Sequence, residues 1–425
     1  MTRFDVVVAG GGSAGIAAAV SAARAGARTL LVERGGLLGG MGTAALVHTI
    51  CGLFLLRDDE RHVWANGGFA RHFAERLLAS GGAREPVRMG RVVVMPHDPA
   101  AFAALADEMV LEVPELEVWM HAEIVSVAPG LESLEIVCRG VRRTVAASAY
   151  VDATGDATLT MLAGGEFAMT EPGRLQRPAY IAGLRGFADS FFDDERRMRL
   201  AHAIVAAVSD GRLPREALGA GFRRGCAPDE AFLTIDLAGD REAEAWDPVS
   251  PRLLGEVEVK GRKTARAIAR YLRLNEEGCG ECRVTNWPAR AGVRESRRAC
   301  GVYELTGEDI IRGAAFDDAI AKIGWPIELR ERATGPKWLF PEASAPAQIP
   351  LRSLRHRDLA NLWIAGRCLS CTHEAQASIR VMGTCMATGE AAGLAATADR
   401  GRGGIDWTLL AADVRKRKEE MRDSQ

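Results

Sequence analysis

The chain alternates short apolar runs with stretches of helical periodicity, most clearly at its two ends. Asp5-Val-Val-Val-Ala9 is a continuous apolar run of strand length, and Arg28-Thr-Leu-Leu-Val-Glu33 is a second. Between them an Ala-rich helix is predicted from Ile16 to Arg24. Gly67 to Leu78 carries Phe69, Phe73 and Leu77 at helical spacing, so a helix with one buried face is predicted there. Asp98 before Pro99 marks a helix start, because a side-chain acceptor precedes a residue whose missing N–H is harmless in a first turn. That helix is predicted to run to about Leu111. Val92 to Met95, Leu116 to Met120 and Ala122 to Val127 read as short strands. Leu134 to Cys138 and Arg142 to Ala146 read as an antiparallel pair across Arg139-Gly140. A further strand from Ala149 ends in the turn Thr154-Gly155-Asp156, with a helix following to about Leu162.

From Glu166 to about Ala345 the pattern changes. Strand-like runs, Ala179 to Leu184 and Phe232 to Leu237, mix with long helices, Glu195 to Val208 and Leu254 to Leu274. Ile349 to Leu354 leads back to a strand, Asn361 to Ala365, and Gly383 opens an Ala-rich helix to about Ala398. The tail from Val414 to Gln425 reads as a charged helix or a frayed end. The expected architecture is α/β: a Rossmann-like domain built from residues 1–165 and 346–425, with an inserted α+β cap, 166–345.

The joint between the first strand and the first helix carries the clearest chemistry. Gly10-Gly-Gly-Ser13-Ala14-Gly15 has the spacing Gly10-x-Gly12-x-x-Gly15. The first glycine of such a turn permits its tightness, the second lets a pyrophosphate approach the backbone, and the third lets the helix pack on the strand. The helix N-terminus then offers free N–H groups to the phosphates. Glu33 closes the second apolar run, where a carboxylate accepts hydrogen bonds from ribose hydroxyls. Together these predict a dinucleotide without separating NAD from FAD. The glycine-dense stretch from Arg34 to Thr43 lets the backbone lie against a large flat ligand. Thr154 and Gly155 stand at the C-terminal end of a strand, where open α/β sheets contact ligands. The helix from Gly383 supplies a second N-terminus for the flavin end of a longer cofactor. Gly219-Ala-Gly221-Phe-Arg-Arg-Gly225 has the wrong last spacing for a second fingerprint and runs toward Pro228, so no nicotinamide domain is expected.

Composition narrows the classes. A chain of 425 residues predicts two domains, and 48% apolar with 26% charged residues is ordinary for a globular protein. A net charge of −2 gives no bulk attraction to nucleic acid or membrane, and no apolar stretch reaches bilayer length. The first strand begins by Phe4 and leaves no room for a signal peptide, so a cytoplasmic location is expected. Nine cysteines, an odd number, argue against a disulfide scaffold. Cys279-Gly-Glu-Cys282 and Cys368-Leu-Ser-Cys371 lie too far apart for a zinc ribbon. They read as packed, reduced cysteines, with a metal or redox role as the alternative, and no metal is expected.

The sequence resembles the FAD-dependent oxidoreductases of the glutathione-reductase-like superfamily, near the fumarate reductase flavoproteins. The resemblance rests on Asp5 to Gly15 with Glu33, on Gly39-Gly40-Met41-Gly42-Thr43, on Val151 to Asp156, and on Trp363-Ile-Ala-Gly366-Arg367 with the helix from Gly383. It implies FAD as cofactor, with Gly10, Gly12, Ser13, Ala14, Gly15, Glu33 and Arg34 on the ADP half and Thr154, Gly155 and Asp156 beside it. It implies Gly40, Met41, Thr43, Gly366, Arg367, Gly383 and Thr384 toward the flavin end, under a cap that covers the flavin's substrate face. Many relatives place Asp after the glycine of the last motif, where Arg367 stands here. Membrane fumarate reductases link flavin to a His near the position of Gly40 and Met41, so non-covalent binding is expected here.

Histidine titrates near neutrality. His373, between the Gly366 turn and the last Ala-rich helix, is therefore the first candidate to move the proton that accompanies a hydride, with a histidine bonded to backbone as the other reading. His48, on the apolar segment after the glycine loop, is the second and weaker, with a satisfied buried histidine as the favoured other reading. Glu374 is placed to orient His373 or to form a salt bridge. Arg294 and Arg297 have i,i+3 spacing and face one way if helical, which suits them to clamp a carboxylate; a salt-bridge cluster with Glu295 is the alternative, and Arg380 reads similarly. The expected function is hydride exchange between flavin N5 and a small polar organic substrate, which these arginines would allow to be anionic. Expected partners are that substrate and an external electron donor or acceptor, with a homodimer left open and neither nucleic acid nor membrane. Two rival readings are an NAD-dependent oxidoreductase without flavin, and a flavoprotein whose FAD is structural and serves a binding or assembly subunit.

Overall fold

The first βαβ unit forms because its strands are apolar on both faces and its helix is narrow enough to lie flat on them. The computed structural model describes residues 1–59, 61–237, 246–332, 335–399 and 404–423. Strand β1 (Thr2–Ala9), helix α1 (Ser13–Arg24) and strand β2 (Thr29–Val32) make this unit, with β1 and β2 parallel in the register Val6 to Thr29. The alanines of α1 let it sit close to the sheet, and its residues 13–23 are buried throughout. The strand Leu116–Trp119 extends the sheet beyond β2, also in parallel. On the other side β1 pairs in parallel with β3 (Val141–Asp152).

Strand β3 corrects one expectation. The strands read separately at Arg142–Ala146 and from Ala149 are one continuous strand, because the residues between them, Ala147 and Ser148, include no glycine or proline to break it. Its first half pairs antiparallel with Leu134–Cys138 across Arg139 and Gly140, both at positive φ. Its second half lies between β1 and β4 (Leu362–Ile364), in parallel with both. Thus residues from the far C-terminal part of the chain enter the same sheet as β1. The helix Pro99–Leu111 begins as predicted, with Asp98 Oδ1 accepting from the N–H groups of Ala100 at 2.7 Å and Ala101 at 3.1 Å.

After β4 come helix α2 (His373–Ile379) and helix α3 (Met382–Asp399). Helix α3 crosses α1 at backbone contact. A Cβ on Gly389 would lie 2.0 Å from the Ala14 carbonyl oxygen, and one on Gly393 would lie 2.1 Å from that of Ala18. The terminal helix runs from Trp407 to Asp423; residues 424 and 425 of the expected tail lie outside the described residues.

A second core forms around a four-stranded antiparallel sheet, in the order Ala220–Arg224, Glu230–Asp236, Ala179–Arg185 and Arg283–Asn286. The helix Pro251–Asn275 packs its apolar face on it, burying Ile268 and Leu272 with Tyr180, Leu184 and Leu233. Gly219 to Gly225 lies at the first of these strands, so it is no phosphate turn. The stretch expected as one cap, 166–345, divides between the two cores. Leu305, Ile310, Ile320 and Ile327 belong to the first, because Ala319–Lys322 pairs with Gln348–Pro350 and ties this segment to the returning chain.

One stability prediction follows from the helix crossing. Gly393→Ala places a methyl group where the Ala18 carbonyl already sits, so it is expected to lower unfolding free energy by roughly 1–3 kcal/mol. Chemical denaturation measures this, and an unchanged midpoint would show that the crossing relaxes freely.

Candidate functional site

The Gly10 turn opens onto a cleft bounded by both ends of the chain. Gly10 has φ +95°, and a Cβ there would lie 2.6 Å from the Ala153 carbonyl oxygen; a Cβ on Gly15 would lie 1.7 Å from that of Gly10. Both positions are fixed by packing. Gly12 differs: a Cβ there would meet nothing within 4 Å, because it would project into the cleft. No side chain caps α1, and Ser13 and Ala14 of its first turn stand on the cleft wall, which places the helix N-terminus at the cleft.

Buried Glu33 also lines the cleft. Its Oε2 accepts from the Gly11 N–H and its Oε1 from the Gly35 N–H, each at 2.7 Å. Those two donors fix the carboxylate and leave lone pairs for ribose hydroxyls. Opposite stands the Thr154 turn. Asp152, wholly buried, accepts from Thr154 Oγ1 at 2.7 Å and from the N–H and Oγ1 of Thr160 at 2.8 Å each. Arg367 closes this wall. It donates from Nη2 to Asp156 Oδ1 at 2.6 Å and from Nη1 to Ser296 Oγ at 2.8 Å. Burial alone would raise the Asp156 carboxyl, but Arg367 and Ser296 hold it below the usual range.

Four guanidinium groups, those of Arg34, Arg290, Arg367 and Arg380, line the cleft with three carboxylates, Glu33, Glu123 and Asp156. Burial and the nearby Arg34 cation push the Arg290 pKa down, so Arg290 stands in a site that favours a further anion. A turn open at Gly12, an uncapped helix start, a fixed carboxylate and a surplus of cations fit the pyrophosphate and ribose of FAD.

A second cavity of about 870 Å³ adjoins the first, a volume typical of small-molecule sites. The two share Met41, Val293, Arg367, Arg380 and Met382 as a common wall. His48 lines the second cavity and stacks on Phe232 with ring centroids 4.2 Å apart. Its Nδ1 lies 3.2 Å from the Leu46 carbonyl oxygen. A carbonyl only accepts, so Nδ1 carries the proton and Nε2 holds a bare lone pair, for which no described residue is a partner. Burial, and then the Arg223 cation, lower the His48 pKa to about 3, so the ring is neutral at ordinary pH. Leu46 itself has φ +53°, a left-handed conformation uncommon for leucine, beside this histidine.

The structure sorts the sequence candidates. Gly10, Gly12, Ser13, Ala14, Glu33, Arg34, Gly40, Met41, Thr154, Gly155, Asp156, Gly366 and Arg367 all line the first cleft. Gly15, Thr43, Gly383 and Thr384 do not. Gly15 packs on Gly10, Thr43 Oγ1 donates to the Leu38 carbonyl at 2.6 Å, and a Cβ on Gly383 would meet the Gly52 backbone at 2.6 Å. Thr384 is buried with Oγ1 unpartnered among the described residues.

Of the four catalytic candidates, only His48 and Arg294 reach the second cavity. His373 lines neither. Its Nδ1 lies 2.9 Å from both oxygens of Glu295 and its Nε2 lies 2.9 Å from Glu331 Oε1. Burial opposes its charge, but Glu295 and then Glu331 outweigh this and raise its pKa. Glu374 does not orient it and instead meets Arg174 at 3.2 Å. Arg294 and Arg297 lie outside any helix, so their i,i+3 spacing does not align them. Arg294 is taken by Asp236 at 2.6 Å and the Arg177 carbonyl at 2.6 Å, and Arg297 Nε donates to the Asp156 carbonyl at 2.9 Å. The described cysteines are free thiols. Burial raises Cys371 to about 12 and Cys368 well above its ordinary value, against a thiolate at either. No metal-holding cluster of His, Cys, Asp or Glu occurs among the described residues. No helix there is long and apolar enough to cross a membrane.

Arg290 and Met382 are wall residues to which sequence reasoning assigned no role, and Arg380, read there as a further carboxylate-clamp candidate, stands on the same wall. Only its nearness to Arg294 and Arg297 in the chain hinted at Arg290.

A sequence model of the family described as FAD dependent oxidoreductase matches residues 5–405. No curated protein matches the chain. Among solved structures the chain is similar to a geranylgeranyl bacteriochlorophyll reductase-like protein from Thermoplasma acidophilum, at 12% identity and TM-score 0.47, covering 100% of this chain and 84% of that one. It is similar to a flavin-dependent brominase at 12% identity and TM-score 0.48, covering 98% and 84%. It is also similar to the p-nitrophenol 4-monooxygenase of Pseudomonas putida at 12% identity and TM-score 0.47, covering 100% and 88%.

Two sets of outcomes are expected, the first for the cofactor. Gly12→Val should fold, since its side chain enters open space, yet purify without dinucleotide. Acid precipitation of the unaltered protein should release free FAD into the supernatant; flavin retained in the pellet would mean a covalent link. The second concerns pH. His48 and His97 are buried neutral, with pKa values lowered from 6.5 to about 3 and about 4, mainly by burial. Below pH 6.5 the unfolded chain takes up protons at both sites and the folded chain does not, so stability falls as pH drops toward about 4. His97→Gln should flatten this acid-side slope of the denaturation midpoint; an unchanged slope would show that His97 is not the source.

Proposed function

The chain belongs to the FAD dependent oxidoreductase family, and from that premise we propose that it exchanges a hydride between flavin and a small polar organic substrate held in the second cavity. The observation that supports this is the common wall. Met41, Val293, Arg367, Arg380 and Met382 face both the dinucleotide cleft and a cavity of about 870 Å³. Bound FAD supplies two-electron chemistry at its ring system. The protein's part is to position the substrate, exclude water and handle the accompanying proton.

In this reading Ser13, Ala14, Glu33 and Arg290 hold the ADP half, and Gly40, Met41 and Arg367 bound the way toward the flavin end. His48 takes the proton role in preference to His373, which is engaged by two carboxylates away from either cavity. With Nδ1–H bonded to the Leu46 carbonyl, Nε2 is an acceptor for a substrate O–H or N–H. Arg294 and Arg297 act structurally, holding the second core against the first. The segment around the four-stranded sheet serves as the cap, contributing Ile181, Phe222 and Thr234 to the cavity. The electron partner is external, since the chain shows no second dinucleotide fingerprint.

Anaerobic mixing tests the proposal. NADH and NADPH should each fail to bleach the oxidised flavin band efficiently, and rapid saturable bleaching by either would reveal a nicotinamide site. With a substrate found by screening small metabolites, His48→Gln should retain flavin and slow its reduction by about 10²–10⁴-fold. Full activity in that variant would remove His48 from the mechanism. Equal loss in His373→Gln, with stability unchanged, would return the role to His373.

A further inference from the structure

We propose that Arg380 is the substrate's anion anchor, and that the second cavity takes a carboxylate-bearing molecule with an apolar body. This rests on the reading of that cavity as the substrate site and deepens it.

The charges around the inner cavity do not balance. Eight arginines line it, and three of them, Arg294, Arg330 and Arg380, gather around Glu328, with Asp236 directly behind. All four carboxylate oxygens are committed. Asp236 Oδ1 accepts from Arg294 at 2.6 Å and Oδ2 from Arg330 at 2.7 Å. Glu328 Oε1 accepts from Arg330 at 2.7 Å and Oε2 from Trp325 Nε1 at 3.1 Å. Three cations thus share two anions, and the one left without a carboxylate contact is Arg380.

Its guanidinium is also poorly bonded. Nη2 reaches only the Glu328 carbonyl, at 3.4 Å, and Nε has no partner among the described residues. Of the arginines on this cavity, Arg380 alone leaves a buried N–H in that state. Burial, partly offset by Glu328, lowers its pKa to about 10, so it remains a cation at neutral pH. A desolvated guanidinium without a counter-ion is costly, and a carboxylate presented to its planar fork relieves that cost with paired, charge-assisted hydrogen bonds. Arg380 stands on the wall shared with the dinucleotide cleft, so an anion held there is brought beside that cleft.

The remaining walls describe the rest of the molecule. Val92, Val94, Ile181, Phe222, Trp338 and Val381 present an apolar surface suited to an aromatic or aliphatic body, and Arg84, Arg88, Arg223 and Arg224 stand elsewhere on the wall.

The test uses FAD-loaded protein with benzoate and benzamide, which match in shape and differ in charge. Calorimetry reports binding, and the flavin absorption band reports proximity. Benzoate is expected to perturb the flavin band and to bind at least about tenfold more tightly than benzamide, the scale of one charge-assisted contact. Arg380→Met should abolish that preference while benzamide binding stays the same. Arg380→Lys, which keeps the charge and loses the fork, should weaken benzoate by a smaller factor, and it carries the test if the methionine variant fails to load flavin. Equal binding of the two probes, binding of neither, or a preference that survives loss of the guanidinium would overturn the anchor. Benzoate binding that depends on Arg380 without perturbing the flavin band would support the anchor and overturn the substrate-site reading on which it rests.

Discussion

Helices α1 and α3 meet without side chains between them, because Gly389 and Gly393 carry no Cβ where the carbonyls of Ala14 and Ala18 come close. Much of the site depends on this contact. It presses the C-terminal helix onto the helix that begins at the dinucleotide turn. Residues 366–386 are thereby brought opposite residues 10–15, and a cleft closes from segments more than 350 positions apart. Close packing of this kind tolerates little added volume. The same economy recurs inside the turn, where Gly15 touches the Gly10 carbonyl and only Gly12 faces open space.

Electrostatics then divides the cleft and cavity by need. Arginines outnumber carboxylates in each: Arg34, Arg290, Arg367 and Arg380 against Glu33, Glu123 and Asp156 in the cleft, and Arg294, Arg330 and Arg380 against Asp236 and Glu328 in one part of the cavity wall. A buried ion pair contributes little net stability, and an unmatched buried cation detracts from it. Both sets therefore hold cations in excess of what folding requires. In the first cleft the excess suits the pyrophosphate of a dinucleotide. The proposal for Arg380 applies the same reasoning to the second.

The histidines show how environment assigns roles that residue type leaves open. His48 and His373 are the same side chain. One is stacked on Phe232, neutral, with a free lone pair; the other bridges Glu295 and Glu331 and is held toward its charged form. Arg294 and Arg380 divide similarly, one neutralised by Asp236 and the other left to face the cavity.

Local order was legible in the amino-acid sequence. The strand at Asp5–Ala9, the Gly10–Gly15 turn, Glu33, the Asp98 cap and the helix after Gly383 each arise from residues a few positions apart, and short-range sterics and hydrogen bonding decide them. The same local signals gave the FAD dependent oxidoreductase family, which the match over residues 5–405 bears out. Tertiary structure alone decided the rest. Nothing near His48 in the chain announces Phe232 or Arg223, nothing near His373 announces Glu331, and nothing near Arg380 announces that Asp236 and Glu328 are already taken. Each of these outcomes depends on which charges and rings share a buried volume, and burial at long sequence separation is fixed only when both cores have packed.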